Sequence, residues 1–484
     1  SGAKAPSPWG GEGLVWGKLM DSPRRTGNPN LRNMTFQQRG LMLKALAMFL
    51  HERRKQYYPI SYQTGATKGD SWVDIEGGIG NLFAYASLRR QFSNETYHVE
   101  GESARLSREG TFIGHHILVP RRGVALHINA FNFPIWGMLE KCAVNWLAGM
   151  PAIVKAAEPT SFLTAAMVRD IIESRILPAG ALQLVCGPGN GILEPLTSQD
   201  VVTFTGSAAT GRLLKAHPRI IEEAVPFTME ADSLNCAVLG ADALPGTEEF
   251  DLFIREAHRE MTTKCGQKCT AIRRIIVPEQ LMDEVQIALS QRLAKTTIGN
   301  PTEESVRMGA LVNQAQVQEV RRRVQALMAA SEVVYGGLDA DFEVIGASRK
   351  QGAFISPILL RNDRPLEQLA SHEVEAFGPV STLMPYRSLD EAIELAQMGK
   401  GSLVSTIATA DDALARKFIL GAASHHGRIL VLNRESAKES TGHGAPMPML
   451  VHGGPGRAGG GEEMGGTRGV MHYLQRCAIQ GTPT

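Results

Sequence analysis

The chain has 484 residues, too many for one small core and enough for two or three domains. Apolar residues make up 43% and charged residues 20%, with a net charge of +1, which suits a soluble globular protein and gives no bias towards nucleic acid or membrane. No apolar run reaches about 18 residues, so no membrane-spanning helix is expected, and the start, Ser1-Gly2-Ala3-Lys4-Ala5-Pro6, has no signal-peptide pattern. The six cysteines are scattered, which reads as reduced thiols in the cytoplasm and not as a disulfide framework.

In chain order, residues 36–58 carry apolar residues at helical spacing and predict one long amphipathic helix. Residues 70–92 predict a second. The stretch 97–117 is polar, contains Gly101 and Gly110, and predicts a projecting hairpin. From 118 short apolar strands alternate with helices. Strands are predicted at 123–128, 151–155, 182–186 and 198–204. Helices are predicted at 132–148, 159–174 and 206–216. Such alternation implies an α/β fold with a doubly wound parallel sheet. A second α/β domain starts near 232, with a helix at 250–263, a strand at 273–277 and a helix at 278–295. Residues 435–469 are glycine-rich and read as loop. Val470 to Gln475 alternate roughly between apolar and polar residues, as an edge strand does.

Chemistry concentrates in a few segments. Cys269 closes Gly266-Gln267-Lys268-Cys269, and its thiol is a candidate nucleophile. Lys264 and Lys268 are near in sequence and are expected to stabilise its thiolate. Cys265 lies four residues earlier, but no further ligand group is close, so no metal site is expected. Glu230 is a candidate base, with Asp232 as the alternative. Asn132, in Asn129-Ala130-Phe131-Asn132-Phe133-Pro134, offers an amide that can hold an oxyanion. Phe204-Thr205-Gly206-Ser207 leads into a helix that contains Gly211, and such a turn can take an anion although it is not GxGxxG. Lys155 and Glu158 follow the preceding strand and can address a nucleotide ribose. Taken singly, each of these also reads as a turn, a cap or a solvated pair. His443 and His452 read as hydrogen-bonding loop residues.

Asn132-Phe133-Pro134, Lys155, Phe204 to Ser207, Glu230, Gly266 to Cys269 and Glu375-Ala376-Phe377-Gly378-Pro379, in this order, resemble the aldehyde dehydrogenase superfamily from about residue 34 to the end. Thr64 to Thr67, Asp70 to Gly78, Met229 to Asn235 and Glu439 to Gly444 are similar to one branch: the dehydrogenase half of the bifunctional ring-opening enzyme of bacterial phenylacetate degradation. The common Glu-Leu-Gly-Gly-Lys around the base is replaced here by Glu230 to Leu234, as in that branch.

The resemblance implies a Rossmann-like cofactor domain over 1–96 and 118–231 and an α/β catalytic domain over 232–445. It also implies a β-arm for oligomerisation from 97–117 and 470–484, and a glycine-rich loop, 446–469, returning to the cofactor domain. Cys269 is then the nucleophile, Glu230 the base, and Asn132 with the Cys269 backbone N–H the oxyanion hole. Lys155, Glu158, Phe204, Gly206, Ser207, Gly211, Glu375 and Phe377 address the cofactor.

The implied reaction is NAD(P)-dependent oxidation of a CoA-thioester semialdehyde of the 3-oxo-5,6-dehydrosuberyl type to the acid. A homo-oligomer, a dimer or higher, is expected, as is a C-terminal hydratase domain in the full-length protein. The alternatives are a 3,4-dehydroadipyl-CoA semialdehyde dehydrogenase of benzoate degradation, and a non-catalytic binding protein on the same scaffold. The branch favours NADP, whereas a carboxylate at Glu158 opposes a 2′-phosphate and favours NAD, so use of both is expected.

Overall fold

A computed structural model describes residues 13–482, and expectations that fall on 1–12 and 483–484 lie outside the described residues. The first strands, β1 (His98–Arg105) and β2 (Ile113–Pro120), form the hairpin expected from the polar 97–117 stretch. Then come β3 (Ala125–Ile128), β4 (Ala152–Lys155), β5 (Leu182–Val185), β6 (Val201–Thr205) and β7 (Phe227–Glu230). They make a five-stranded parallel sheet in the order β5-β4-β3-β6-β7. The chain starts in the middle, at β3, runs out to β5, and returns to add β6 and β7 on the other side. This reversal opens a crevice at the carboxyl ends of β3 and β6, where such sheets bind ligands.

The second sheet is built from β8 (Cys236–Leu239), β9 (Arg274–Pro278), β10 (Glu332–Tyr335), β11 (Ile358–Arg361), β12 (Val380–Tyr386), β13 (Ser402–Ala408) and β14 (His426–Leu432). Its order is β10-β11-β12-β9-β8-β13-β14, parallel except for β10. A two-residue strand, β15 (His452–Gly453), pairs with β16 (Glu462–Met464). Finally β17 (Leu474–Gly481) joins β2, giving a small antiparallel sheet β1-β2-β17. No helix among the described residues is long and apolar enough to cross a membrane.

Three sequence expectations need correction. The helix predicted over 36–58 runs only from Phe36 to Arg53; a tight turn, Arg54–Tyr57, and a short helix, Tyr58–Tyr62, follow. Pro59 has no N–H to donate and its ring crowds the preceding turn, so the long helix cannot pass through it. Val470 to His472 belong to a short helix, Thr467–His472, because Val470 and Tyr473 turn into the core; the strand starts only at Leu474. The 435–469 segment is not all loop. Its backbone is tied to both sheets, with Ala231 N–H donating to Ala458 O (3.0 Å) and Arg457 N–H to Lys400 O (2.9 Å). Gly459 has φ +114°, and a Cβ there would lie 2.0 Å from Met229 O, so glycine is required.

The helix Lys68–Leu88 positions the site. Thr67 and Asp70 form a capping box at its start: Thr67 N–H donates to Asp70 Oδ2 (2.9 Å), and Asp70 N–H to Thr67 Oγ1 (3.2 Å). One turn on, Asp74 Oδ1 accepts from the N–H groups of Ile135 (3.0 Å) and Trp136 (2.8 Å). It thereby caps the helix Pro134–Ala148 from outside. That helix starts at Pro134 and not at Asn132, since Phe133 is non-helical (φ −130°, ψ 74°). Asn132 is thus left on the loop side of the helix start.

Burial raises the Asp74 carboxyl from 3.8 to about 7, against the opposing pull of the two N–H groups and Lys264. Between those values the folded chain holds a proton that the unfolded chain has released. This contribution is therefore fully stabilising below the lower value and is lost as pH rises through about 7. Asp74→Asn keeps an acceptor oxygen but does not titrate. The difference in thermal midpoint, variant minus wild type, should be more favourable to the variant at pH 8 than at pH 5. A difference that does not change with pH would show that Asp74 does not carry this linkage.

Candidate active site

The nucleophile segment is bent by three consecutive left-handed residues, Lys264 (φ 53°), Cys265 (φ 54°) and Gly266 (φ 67°). Two of them carry side chains, a conformation that costs about 1–2 kcal/mol each. The surroundings hold it in place. Lys264 N–H donates to Asp70 Oδ1 (2.8 Å), and its Nζ donates to Thr64 Oγ1 (2.8 Å). Arg273 reaches the carbonyls of Gly378 (2.7 Å), Gly266 (2.9 Å) and Lys268 (3.2 Å). Asn235 Nδ2 donates to Cys269 O (2.8 Å). A Cβ at Gly266 would lie 2.1 Å from Gly378 O.

The two lysine ammonium groups are engaged by Thr64 and Glu260, and neither is among the main influences on the thiol, so the expected thiolate stabilisation by Lys264 and Lys268 is not what the structure shows. Lys268 Nζ donates to both oxygens of buried Glu260 (2.7 and 2.8 Å). The Cys269 thiol is instead held well above its ordinary range, first by burial and next by the Glu230 carboxylate, with Arg428 opposing. Cys265 is fully buried in an apolar cluster, which also pushes its thiol up.

Asn132, Glu230 and Cys269 all line one cavity of about 640 Å³. Glu230 ends β7 and is buried. Sγ of Cys269, a carboxylate oxygen of Glu230 and a ring nitrogen of His452 lie within 4.8 Å of one another. The Asn132 amide faces the cavity with no hydrogen-bond partner among the described residues. Trp72 and Met447, both largely exposed, belong to the same lining. Asp232, the alternative base, does not line the cavity. It accepts from Ala208 N–H (2.9 Å) at the start of the helix Ala208–Lys215.

The cofactor candidates lie apart from this cavity. Lys155 ends β4 and its Nζ donates to Ala156 O (2.9 Å); burial lowers its ammonium pKa, with Glu158 opposing. Glu158 is exposed at the next turn. Gly206 and Ser207 join β6 to the helix Ala208–Lys215, which Ser207 caps through Thr210 N–H (3.3 Å). Phe204 and Gly211 are buried beneath that turn: a Cβ at Gly211 would lie 2.4 Å from Met229 Sδ and 3.0 Å from the Phe204 ring. Glu375 accepts from Ser233 N–H (3.2 Å) and lies 3.5 Å from Arg273 Nε; burial raises its carboxyl to about 7. The Phe377 ring meets Phe131 edge-on at 6.0 Å.

From sequence alone His452 reads as a hydrogen-bonding loop residue. The structure buries it beside the catalytic candidates, with Nδ1 3.1 Å from Glu140 Oε2 and Nε2 3.1 Å from Glu230 Oε2. Glu140 and Lys141 were also missed. Lys141 Nζ donates to Asn129 Oδ1 (3.1 Å) and Thr205 Oγ1 (2.6 Å).

The family model described as "Aldehyde dehydrogenase family" matches residues 20–479. A 3,4-dehydroadipyl-CoA semialdehyde dehydrogenase of Aromatoleum evansii is 41% identical over 445 residues, covering 92% of this chain and 86% of that protein. Protein MaoC of Klebsiella aerogenes is 57% identical over 178 residues, covering 37% of this chain and 51% of that protein. Among solved structures, a lactaldehyde dehydrogenase superposes with a TM-score of 0.83 at 22% identity, over 98% of this chain and 92% of that one. Aldehyde dehydrogenase C of Pseudomonas syringae, solved with NAD+ and octanal, gives 0.80 at 21% identity, over 97% and 89%.

Because Glu230 disfavours the Cys269 thiolate, Glu230→Gln should move the pH profile of Cys269 alkylation by iodoacetamide to lower pH. An unmoved profile would mean that the carboxylate does not govern the thiol.

Proposed function

This chain belongs to the aldehyde dehydrogenase family and is an oxidoreductase, and we propose that it oxidises a CoA-linked semialdehyde of aerobic aromatic degradation to the free acid. The carrying observation is the cavity that gathers a thiol, a carboxylate and an uncommitted amide on one surface. The preferred substrate is of the 3-oxo-5,6-dehydrosuberyl-CoA type, as in the phenylacetate branch that the sequence resembles. The 41% identity to a 3,4-dehydroadipyl-CoA semialdehyde dehydrogenase favours that compound as the second reading.

In this reading Cys269 Sγ attacks the aldehyde carbon while its proton passes to Glu230. The Asn132 amide and the Cys269 N–H hold the oxyanion, and one such donor contributes about 3–4 kcal/mol. A bound nicotinamide supplies the hydride acceptor that leaves the substrate as a thioester on Cys269. Glu230 then takes a proton from water, which releases the acid. CoA serves as a handle on the substrate and not as the acyl acceptor.

The crevice residues fit a dinucleotide. Glu375 Oε1 is buried and makes no hydrogen bond among the described residues, with only the Arg273 guanidinium facing it at 3.5 Å, so it has room to accept from a ribose hydroxyl. Lys155 and Glu158 would hold the adenosine ribose, and Gly206 and Ser207 the pyrophosphate; Phe204 and Gly211 would support that turn from below. The β1-β2-β17 sheet would be the oligomerisation arm, since β17 is an edge strand exposed over most of its length. The units would then be the cofactor domain up to 96 and over 118–231, and the catalytic domain over 232–445.

Three outcomes test this. Steady-state turnover with free and CoA-linked aldehydes should be most efficient for the CoA-linked semialdehydes. Cys269→Ala should abolish turnover and Cys265→Ala should retain it; the reverse would move the nucleophile. Glu158→Thr should raise the NADP:NAD ratio of kcat/KM by roughly tenfold, less at high salt. Separately, light scattering at micromolar concentration should give a dimer or larger assembly, and a monomer would exclude the arm.

A further inference from the structure

One turnover releases two protons, and Glu230 is asked to accept a proton twice. The first leaves the Cys269 thiol as the C–S bond forms and the carbonyl electron pair moves to oxygen. The second leaves water as its oxygen bonds to the thioester carbon. Collapse of that adduct breaks the C–S bond, the departing thiolate recovers its proton from Glu230, and the product acid gives its own proton to solvent. Glu230 must therefore be emptied once, between the two halves. Glu230 is 1% exposed and lines the substrate cavity, so while the acylated substrate fills that cavity the direct route for its proton is a partner within the protein.

His452 is placed to do this. It is 4% exposed, and its backbone is held in the β15–β16 ladder. Its Nε2 lies 3.1 Å from Glu230 Oε2. Its Nδ1 lies 3.1 Å from Glu140 Oε2, an oxygen that also accepts from Trp136 Nε1 (2.6 Å). Glu140 Oε2 accepts from Trp136 Nε1, and with Nδ1 donating to the same oxygen a neutral ring carries no hydrogen on Nε2, which lies against Glu230 Oε2 without a hydrogen bond to it. Glu140 then stabilises the imidazolium that forms. Among the described residues, Cys269, Arg428 and Tyr85 act electrostatically on Glu230 or Glu140, and Lys141, Glu260 and Lys268 line the same cavity.

We infer that His452 is a positioning residue that takes the first proton from Glu230 through Nε2, restores the carboxylate for deacylation, and gives that proton to water in the cavity it lines once the product has left. The inference rests on the assignment of Cys269 and Glu230 above.

The test uses hexanal with NADP or NAD on the full chain carrying His452→Gln or His452→Ala. Thermal unfolding and cofactor binding check the fold, and Gln preserves most of the side-chain volume. The first-turnover burst should persist, while steady-state turnover falls by about 10–100-fold. Intact-mass analysis of quenched samples should find the hexanoyl thioester accumulated on Cys269, which a merely structural defect would not produce. Added imidazole should restore turnover in His452→Ala. Wild-type steady-state turnover in His452→Gln, a slowed rate without accumulated thioester, or no response of His452→Ala to imidazole would each overturn the relay. A burst or mass adduct persisting in Cys269→Ala would instead refute the nucleophile assignment and is read independently of His452.

Discussion

Two buried carboxylates on one helix, Asp70 and Asp74, tie the halves of the site together. Four residues apart, they share a face of the Lys68–Leu88 helix. Asp70 accepts from the backbone N–H of Lys264, at the bend before the nucleophile. Asp74 accepts from the first N–H groups of the helix that follows Asn132. Thiol and amide thus take their relative position from one rigid element. Gly77 and Gly78 let that element close on its neighbour: a Cβ at Gly77 would lie 2.1 Å from the Trp136 ring, and one at Gly78 would lie 3.1 Å from Trp136 Cα.

The same need to satisfy buried charge explains the left-handed bend at Lys264 and Cys265. Its conformational cost is offset by charge-assisted contacts from Arg273 and by the Lys268–Glu260 pair, whose members are both buried. Removing one partner of such a pair would strand a charge, so these groups act together. The result is a thiol in an enclosed, carboxylate-facing position. Burial and the Glu230 carboxylate both disfavour its thiolate. This differs from a thiolate stabilised by neighbouring cations, the arrangement that Lys264 and Lys268 suggest in the sequence.

Much of this was legible in advance because the relevant signals are local. The alternation of short apolar strands and helices from 118 onwards corresponds to β3 to β7 and the helices between them, with ends displaced by a few residues. Asn132, Glu230 and Cys269 each sit at the end of a strand or at a turn, where neighbouring residues mark the position. Errors arose where packing overrode pattern. Pro59 cut a helix that apolar spacing alone would have continued. Val470 alternates like a strand residue, but burial placed it in a helical turn.

The sequence by itself determined the α/β class and the parallel sheet, and it singled out a thiol, a carboxylate and an amide that the structure brings to one cavity. Periodicity and turn chemistry act over a few residues and do not need the folded chain. Only the tertiary structure decided which charges face the thiol and which face away. Lys268 is adjacent to Cys269 in the chain, yet it turns to Glu260. His452 is far from Glu230 in the chain, yet it lies against it. The reason is that side-chain direction at a left-handed bend, and contact between strands of different sheets, depend on the path of the whole backbone and not on neighbours in sequence.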